Sequence, residues 1–308
     1  MMQPGIELVE VGPRDGFQSI VPFIPTEVKI DIIGQLAAAG FRRIEVGSFV
    51  SRRAVPQMSD VETVTEAVRK MPALRASFLV PNEKGAERAA GAGAAEIVFV
   101  CSASDTHNQR NVRRSVQESL DELSRLIRNV AEPAGLKVRL DIATAFDCPF
   151  TGRTPDESVF RIIECMLVVA RSSEICLCDT TGRATPDHVE RLFLACRHRF
   201  GDPSITWAFH GHDTYGLGLA NVLAAHRAGV KIFDASVAGL GGCPYAPGAT
   251  GNVASEDLVY LFERMGIPTG IDLARLLSVA DAAALLPGAC VGGRVRGLPI
   301  RDDAPAST

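Results

Sequence analysis

Short apolar runs alternate with longer amphipathic segments, and the alternation repeats eight times along the chain. The short runs predict strands over Ile6–Val11, Arg43–Gly47, Leu74–Leu79, Glu96–Cys101, Val138–Thr144, Glu174–Cys178, Ile205–His210 and Lys231–Val237. Between them, helical patterns lie near Thr26–Ala39, Asp60–Arg69, Glu83–Ala92, Ser115–Ala131, Pro155–Ala170, Pro186–His198, Leu217–Ala228 and Val253–Met265. Pro155 and Pro186 each follow a threonine and suit the first turn of a helix. Strand-helix repetition is the pattern of a parallel sheet. Eight units closed on themselves give an α/β fold of the TIM (β/α)8 type, with an extra C-terminal helix near Asp272–Leu285. An open doubly wound sheet is the alternative, but no GxGxxG turn follows the first strand.

No low-complexity linker interrupts the 308 residues, so one domain is expected over 1–308, with the barrel at about 6–266 and a helical extension at about 271–300. Hydrophobic residues at 46% and charged ones at 22% suffice for an ordinary globular core. A net charge of −4 without a long Lys/Arg run argues against a nucleic-acid partner. No apolar run approaches the roughly 18 residues of a membrane span, and the N-terminus shows no signal-peptide pattern. The eight cysteines form no CxxC pair, which suggests reduced thiols and a cytoplasmic location.

In such a barrel, catalytic groups gather where strands end and loops begin. The first strand ends in Glu10, Arg14, Asp15 and Gln18, the second in Glu45 and Ser48, and the sixth in Asp179 and Thr180. The seventh ends in His210 and His212, two residues apart and therefore on one face of a strand, where they can share a metal ion. The eighth leads into Gly239, Gly241, Gly242 and Cys243, a glycine-rich loop able to bring a thiol over a pocket, and Asn252 follows. Each residue also has a simpler reading. Asp15 alone is a turn residue in Arg-Asp-Gly, Asn252 an N-cap, Arg14 a structural partner of Glu10 or Glu45, and Cys243 an inert cysteine. With His210 and His212 nearby, a carboxylate and an amide oxygen complete a set suited to Mg²⁺ or Mn²⁺, while two imidazoles also suit Zn²⁺. Cys176 and Cys178 share a strand face and can touch the barrel interior; His188, His198 and His226 fall on outer helices, and His107 in a loop after the fourth strand.

Arg14-Asp15, Glu45, HGHDTYG and SVAGLGGCPYAPGATGN together resemble the 3-hydroxy-3-methylglutaryl-CoA lyase family and its wider group of barrel metallolyases, in order from about Ile6 to Leu285. The resemblance implies a divalent cation on Asp15, His210, His212 and Asn252, Arg14 steadying an enolate, and Cys243 as the thiol of a mobile loop. Glu45, Asp179 and Glu256 fall on family site positions as supporting or acid-base groups. Substrate contacts are expected from Gln18, His107, Arg139 and Glu256, with Arg52 and Arg53 meeting CoA phosphates. The implied reaction is the retro-Claisen cleavage of an acyl-CoA, with His210, Asp15 or a metal-bound water as the base, in a homodimer. A Claisen synthase is the second functional class, set apart by the further C-terminal domains such enzymes carry, and a catalytically silent barrel is the third. The chain departs from the family in one place: CSASDTHNQRN sets Asp105 and His107 where Glu-x-Phe is usual, Asp141 and Ala143 replace Tyr and Ser, and Cys176 takes a Ser position. These changes are expected on the side of the mouth opposite the metal, altering the acyl preference and leaving 3-hydroxy-3-methylglutaryl-CoA a poor or merely tolerated substrate.

Overall fold

The computed structural model describes residues 5–170, 173–242 and 251–298. Eight parallel strands close into a barrel: β1 (Glu7–Glu10), β2 (Arg43–Ser48), β3 (Arg75–Val80), β4 (Glu96–Ser102), β5 (Lys137–Ala143), β6 (Ser173–Asp179), β7 (Ile205–Gly211) and β8 (Ile232–Ala235). Closure occurs where Glu7 of β1 lies opposite Ile232 of β8 and Glu10 opposite Ala235. Around the barrel run α1 (Thr26–Ala39), α2 (Val61–Val68), α3 (Glu83–Gly91), α4 (Asp105–Val112), α5 (Val116–Leu126), α6 (Asp156–Val169), α7 (Pro186–Arg199), α8 (Gly218–Arg227), α9 (Ser255–Arg264) and α10 (Leu273–Ala284). The last is the expected extra helix: Asp272 accepts from the Arg275 amide, and the helix packs on α1.

Strand alternation divides the protein into two interiors. Large side chains such as Ile44, Phe78, Phe99, Leu140, Leu177 and Phe209 point outward and join the helices in one core, where each contributes roughly 1.5–3 kcal/mol on burial. Inward-facing Val9, Val11, Cys176, Cys178, Ala208 and Ile232 make a separate, small apolar layer across the barrel. The paired cysteines thus face the interior as expected, with their sulfurs 3.9 Å apart. Below that layer, at the N-terminal ends of the strands, Arg43 binds Glu96 and Glu174, the latter at 2.9 Å, while Arg75 pairs with Glu7. Above it lies the catalytic end.

Three local differences from the sequence pattern affect that end. Asp105–Val112 is a helix, N-capped by Ser104, so His107 sits on α4 rather than in a loop. The stretch was illegible as a helix because DTHNQRNV has no apolar stripe. β8 stops at Ala235, two residues early, because the chain turns through Val237–Gly239 with Ala238 at φ 56°. Finally, α9 starts at Ser255 rather than Val253, and Asn252 is not its cap.

Candidate active site

β1 runs into a tight π-helical turn, Gly12–Gly16, that carries Arg14 and Asp15. Such turns are uncommon and concentrate at functional sites. Glu10 holds the turn from behind: its carboxylate accepts from the Gly12 and Val237 amides at 2.7 and 2.9 Å and from Ser255 Oγ at 2.6 Å. A side chain at Gly12 would lie 2.6 Å from Glu10 Oε1, so only glycine fits. Complete burial pushes Glu10 up to about 8 despite these bonds. Glu10 is therefore spoken for, and Arg14 pairs instead with Glu45 on β2 at 2.7 Å and with Asp15 at 2.5 Å.

His210 and His212 share the inner face of the β7 end, with ring centroids 5.2 Å apart. Asp15, His210 and His212 each offer a ligand atom within 4.8 Å of the others, which makes them a possible metal site. His210 Nδ1 lies 3.1 Å from Asp234 Oδ2, leaving Nε2 for a ligand. Asn252 joins the group through a short antiparallel bridge to His212; its amide nitrogen donates to Asp15 Oδ2 at 2.8 Å and to the Leu240 carbonyl at 3.0 Å. The motif's glycines make this possible. A Cβ at Gly251 would stand 2.3 Å from the Gly241 carbonyl carbon, and Gly241 itself holds φ 127° with Asn252 directly against it.

The donor set fits a divalent cation on two counts. Asn252 Oδ1 and His212 Nδ1 are buried without a hydrogen-bond partner, an arrangement costly in a folded protein unless something else satisfies them. Asp15, Glu45, Asp141 and Asp234 also stand around two guanidiniums, Arg14 and Arg139, so that among the described residues carboxyl groups outnumber the fixed cations, a setting that favours a bound cation. Protonation follows suit. Burial would raise Asp15, but Arg14, His210 and His212 outweigh it and hold the carboxyl near 2, so it is ionised. Burial and His210 depress His212 to about 4, leaving a free lone pair. Burial alone would lower His210, yet Asp234 raises it. Burial pushes Glu45 up to about 7 even beside Arg14.

A cavity of about 500 Å³ opens above these groups, lined on one side by Arg14, Asp15, His210 and His212. Gln18 lies at its edge and donates to Asp15 Oδ1 at 2.8 Å. Across it stands His107, its Nδ1 2.6 Å from Ser102 Oγ and its ring held near 4 by burial. Asn82 and Arg114 line the same outer wall, two groups that nothing in the sequence pattern singled out.

Other expected site residues lie elsewhere. Arg139 does not line the cavity; its three nitrogens are committed to Asp141 and Asp234. Asp179 accepts from the Arg183 and Ala184 amides and is pushed by burial to about 7, holding the loop after β6. Glu256 lies beneath the turn after β8, accepting from the Ala238 amide at 3.1 Å, and burial raises it to about 7. Arg53 is exposed on a loop whose neighbours Ser51, Ala54 and Val55 reach the cavity, and Arg52 pairs with Glu62. Cys243 lies outside the described residues.

Two expectations about the altered wall need correction. Asp105 is exposed, its carboxylate accepting from the Val116 amide at 2.8 Å, so it contributes no charge to the cavity. Asp141 does line it, but beside the metal-side residues rather than opposite them, since Arg139 ties it to Asp234 and thence to His210. Asp234, in contact with His210 and Arg139, is a further group the sequence pattern did not single out; its signal was an aspartate among the apolar positions of the strand pattern KIFDASV.

Residues 5–282 match the HMGL-like family model. The hydroxymethylglutaryl-CoA lyase of rat mitochondria is 42% identical over 276 residues, covering 90% of this chain and 84% of that one. The (R)-citramalyl-CoA lyase of Chloroflexus aurantiacus is 41% identical, covering 90% and 89%. Among solved structures, an HMG-CoA lyase of Acinetobacter baumannii in complex with coenzyme A and 3-methylmalate superposes with a TM-score of 0.90 at 38% identity, covering 99% of both chains. Match to the family model over most of the length, identity above 40% and a shared barrel lead to one conclusion: the chain belongs to the HMGL-like family.

Proposed function

We propose that the protein cleaves 3-hydroxy-3-methylglutaryl-CoA, or a closely related 3-hydroxyacyl-CoA, to acetyl-CoA and a keto acid by a metal-dependent retro-Claisen reaction. The protein is a carbon–carbon lyase. The observation that carries the reading is the convergence of Asp15, His210 and His212 beside Arg14 at the base of one cavity. The named relatives support the same chemistry.

Asp15, His210, His212 and Asn252 would hold the cation, and their mixed oxygen and imidazole donors favour Mg²⁺ or Mn²⁺ over Zn²⁺. Bound there, it supplies the positive charge that lowers the pKa of the substrate's tertiary hydroxyl. As that hydroxyl gives its proton to a base, His210, Asp15 or a water, and becomes a carbonyl, the bond to the thioester methylene breaks, and its electron pair passes into the thioester enolate. Arg14, locked by Glu45, offers its guanidinium to the enolate oxygen. Protonation of the enolate carbon by the Cys243 thiol, carried on the glycine loop, completes acetyl-CoA. Asp179 and Glu256 act by fixing the loops after β6 and β8, while Gln18 steadies Asp15.

His107 sets a polar wall against which the acyl group is desolvated, with Asp141 lining the cavity nearer the metal side, and it favours a second substrate reading. A polar wall mismatched to the substrate costs far more than a missing methylene. A citramalyl-CoA-like thioester is therefore the alternative, in keeping with the Chloroflexus relative. We place the enzyme in the cytoplasm as a homodimer of single-domain subunits. The unbridged thiols of Cys101, Cys148, Cys176, Cys178 and Cys196 support a reducing compartment, and the exposed Val21, Phe23 and Leu285 support an apolar contact between subunits.

The test is acetyl-CoA release from a panel of 3-hydroxy-3-alkylglutaryl-CoA and citramalyl-CoA thioesters, before and after chelation. Chelation should abolish turnover and Mg²⁺ or Mn²⁺ should restore it; full turnover by chelated protein would overturn the metal-dependent reading. His107→Phe should shift the panel toward 3-hydroxy-3-methylglutaryl-CoA by roughly 1–3 kcal/mol in kcat/KM ratio. If that compound is already the best substrate and the variant changes nothing, the wall does not set specificity.

A further inference from the structure

Asp234 and His210 are register neighbours on β8 and β7, with both side chains facing the barrel interior. Asp234 Oδ2 is shared between two partners, lying 3.1 Å from His210 Nδ1 and 2.5 Å from Arg139 NH2, while Asp234 Oδ1 accepts from Arg139 NH1 at 2.9 Å. The two-point contact stops the carboxylate from rotating. Arg139 cannot shift either, because its Nε donates to Asp141 at 2.6 Å and Glu174 lies 3.5 Å from its NH1. Glu174 in turn accepts from Arg43 at 2.9 Å, on the barrel floor. All of Arg139, Asp234 and Asp141 are buried to 4% exposure or less, so water does not compete for these bonds. His212 has no such support, its Nδ1 being buried without a partner.

We propose that Arg139 and Asp234 are positioning residues: they fix His210 with Nδ1 protonated toward Asp234 and the Nε2 lone pair aimed at the cation, so that this ligand is oriented before any metal binds. The inference rests on the metal-dependent reading above only for its consequence, the affinity. The orientation itself is a property of the metal-free protein. A carboxylate on the far nitrogen of a ligating imidazole fixes its tautomer and raises its basicity, and removing such a partner costs about 10–100-fold in metal affinity. A buried ion pair with a purely structural role would lower stability when broken, yet leave affinity and tautomer in the folded protein unchanged.

The experiment uses the full chain, labelled with 15N-histidine, in two measurements. In the metal-free protein, nitrogen–proton correlation spectra should show His210 with a protonated Nδ1. Asp234→Asn turns the acceptor into an amide whose NH₂ can donate to Nδ1, so the proton should move to Nε2 and block ligation. Titration with Mn²⁺ alone, followed by electron paramagnetic resonance, should show binding weakened about 10–100-fold in Asp234→Asn. Arg139→Lys keeps the charge but loses the two-point grip, and should weaken binding by a smaller factor; it decides the matter if Asp234→Asn does not fold. An unprotonated Nδ1 on His210 in the unmutated protein overturns the proposal, as does unchanged Mn²⁺ affinity in a folded variant with a lowered melting temperature. Failure of the unmutated protein to bind Mn²⁺ at all would count against the lyase mechanism, and the tautomer measurement would still decide the positioning role.

Discussion

The two ends of the barrel bury the same kinds of residue and use them in opposite ways. At the floor, Arg43 is gripped by Glu96 and Glu174 and Arg75 by Glu7, so the charged groups close on one another. A cavity of about 410 Å³ there has Arg43, Arg75, Glu96 and Glu174 in its lining. At the mouth, Asn252 Oδ1, His212 Nδ1, Arg14 Nε and Glu45 Oε1 are buried without hydrogen-bond partners. Arg43 and Glu96 at the floor are as deeply buried as Arg14 and Glu45 at the mouth, so depth alone does not mark the site. The difference lies in what the unbonded atoms face: Glu174 Oε1 at the floor lacks a hydrogen bond but sits 2.8 Å from the Arg43 guanidinium, whereas Asn252 Oδ1 and His212 Nδ1 at the mouth are left to something else.

That contrast breaks if floor and mouth respond alike to mutation. The largest expected effect is at the floor, where Arg43→Met leaves Glu96 buried without its partner and Glu174 dependent on the longer contact to Arg139 at 3.5 Å. Stability should fall by about 3–5 kcal/mol, read from denaturant unfolding, while kcat of the remaining folded enzyme stays near its starting value. A large kcat loss at unchanged stability would show the floor to be part of the catalytic machinery.

At the mouth the pattern should reverse. Arg14→Lys keeps a positive charge beside Glu45 but loses the planar donor pair that the proposed mechanism offers to the enolate, and should lower kcat by about 10²–10³, close to 3 kcal/mol, with little change in melting temperature. Steady-state kinetics alongside calorimetry checks both halves, and a stability loss without a rate loss would erase the distinction.

The smallest effect sharpens the comparison through pH. Glu10, behind the mouth, titrates near 8 in the folded protein against its ordinary 4.5, so the folded form binds the proton more tightly. Its stability contribution is full below about pH 4.5 and disappears as pH rises through 8. The melting temperature of chelated protein should therefore drop by a few degrees from about pH 5 to pH 9. Glu10→Gln, whatever its absolute stability, should flatten that slope; an equal slope in the variant would assign the effect to other groups.

Much of the fold and of the site is legible in the amino-acid sequence. The eightfold strand-helix pattern, the HGH pair on one strand face and the glycine-rich loop each depend on local periodicity or on side chains close in sequence, and β7, Asp15, His210 and His212 stand where those patterns imply. What escaped depended on distant pairings. Arg139 carries the charge expected of a substrate contact, yet it faces Asp141 two residues on and Asp234 ninety-five residues away, and these partners remove it from the cavity. Asn252 looked equally suited to capping a helix, and only the approach of Gly241 and Gly251 turned its amide toward Asp15.

By itself, then, the sequence determined the barrel and placed Arg14, Asp15, His210 and His212 at strand ends on its mouth, because a strand's period of two and a helix's period of 3.6 are short-range properties written in consecutive residues. Only the tertiary structure decided which of those groups are already satisfied. A buried charge acts as a fastening or as a ligand according to its neighbours, and in a closed barrel those neighbours come from strands far apart in the chain.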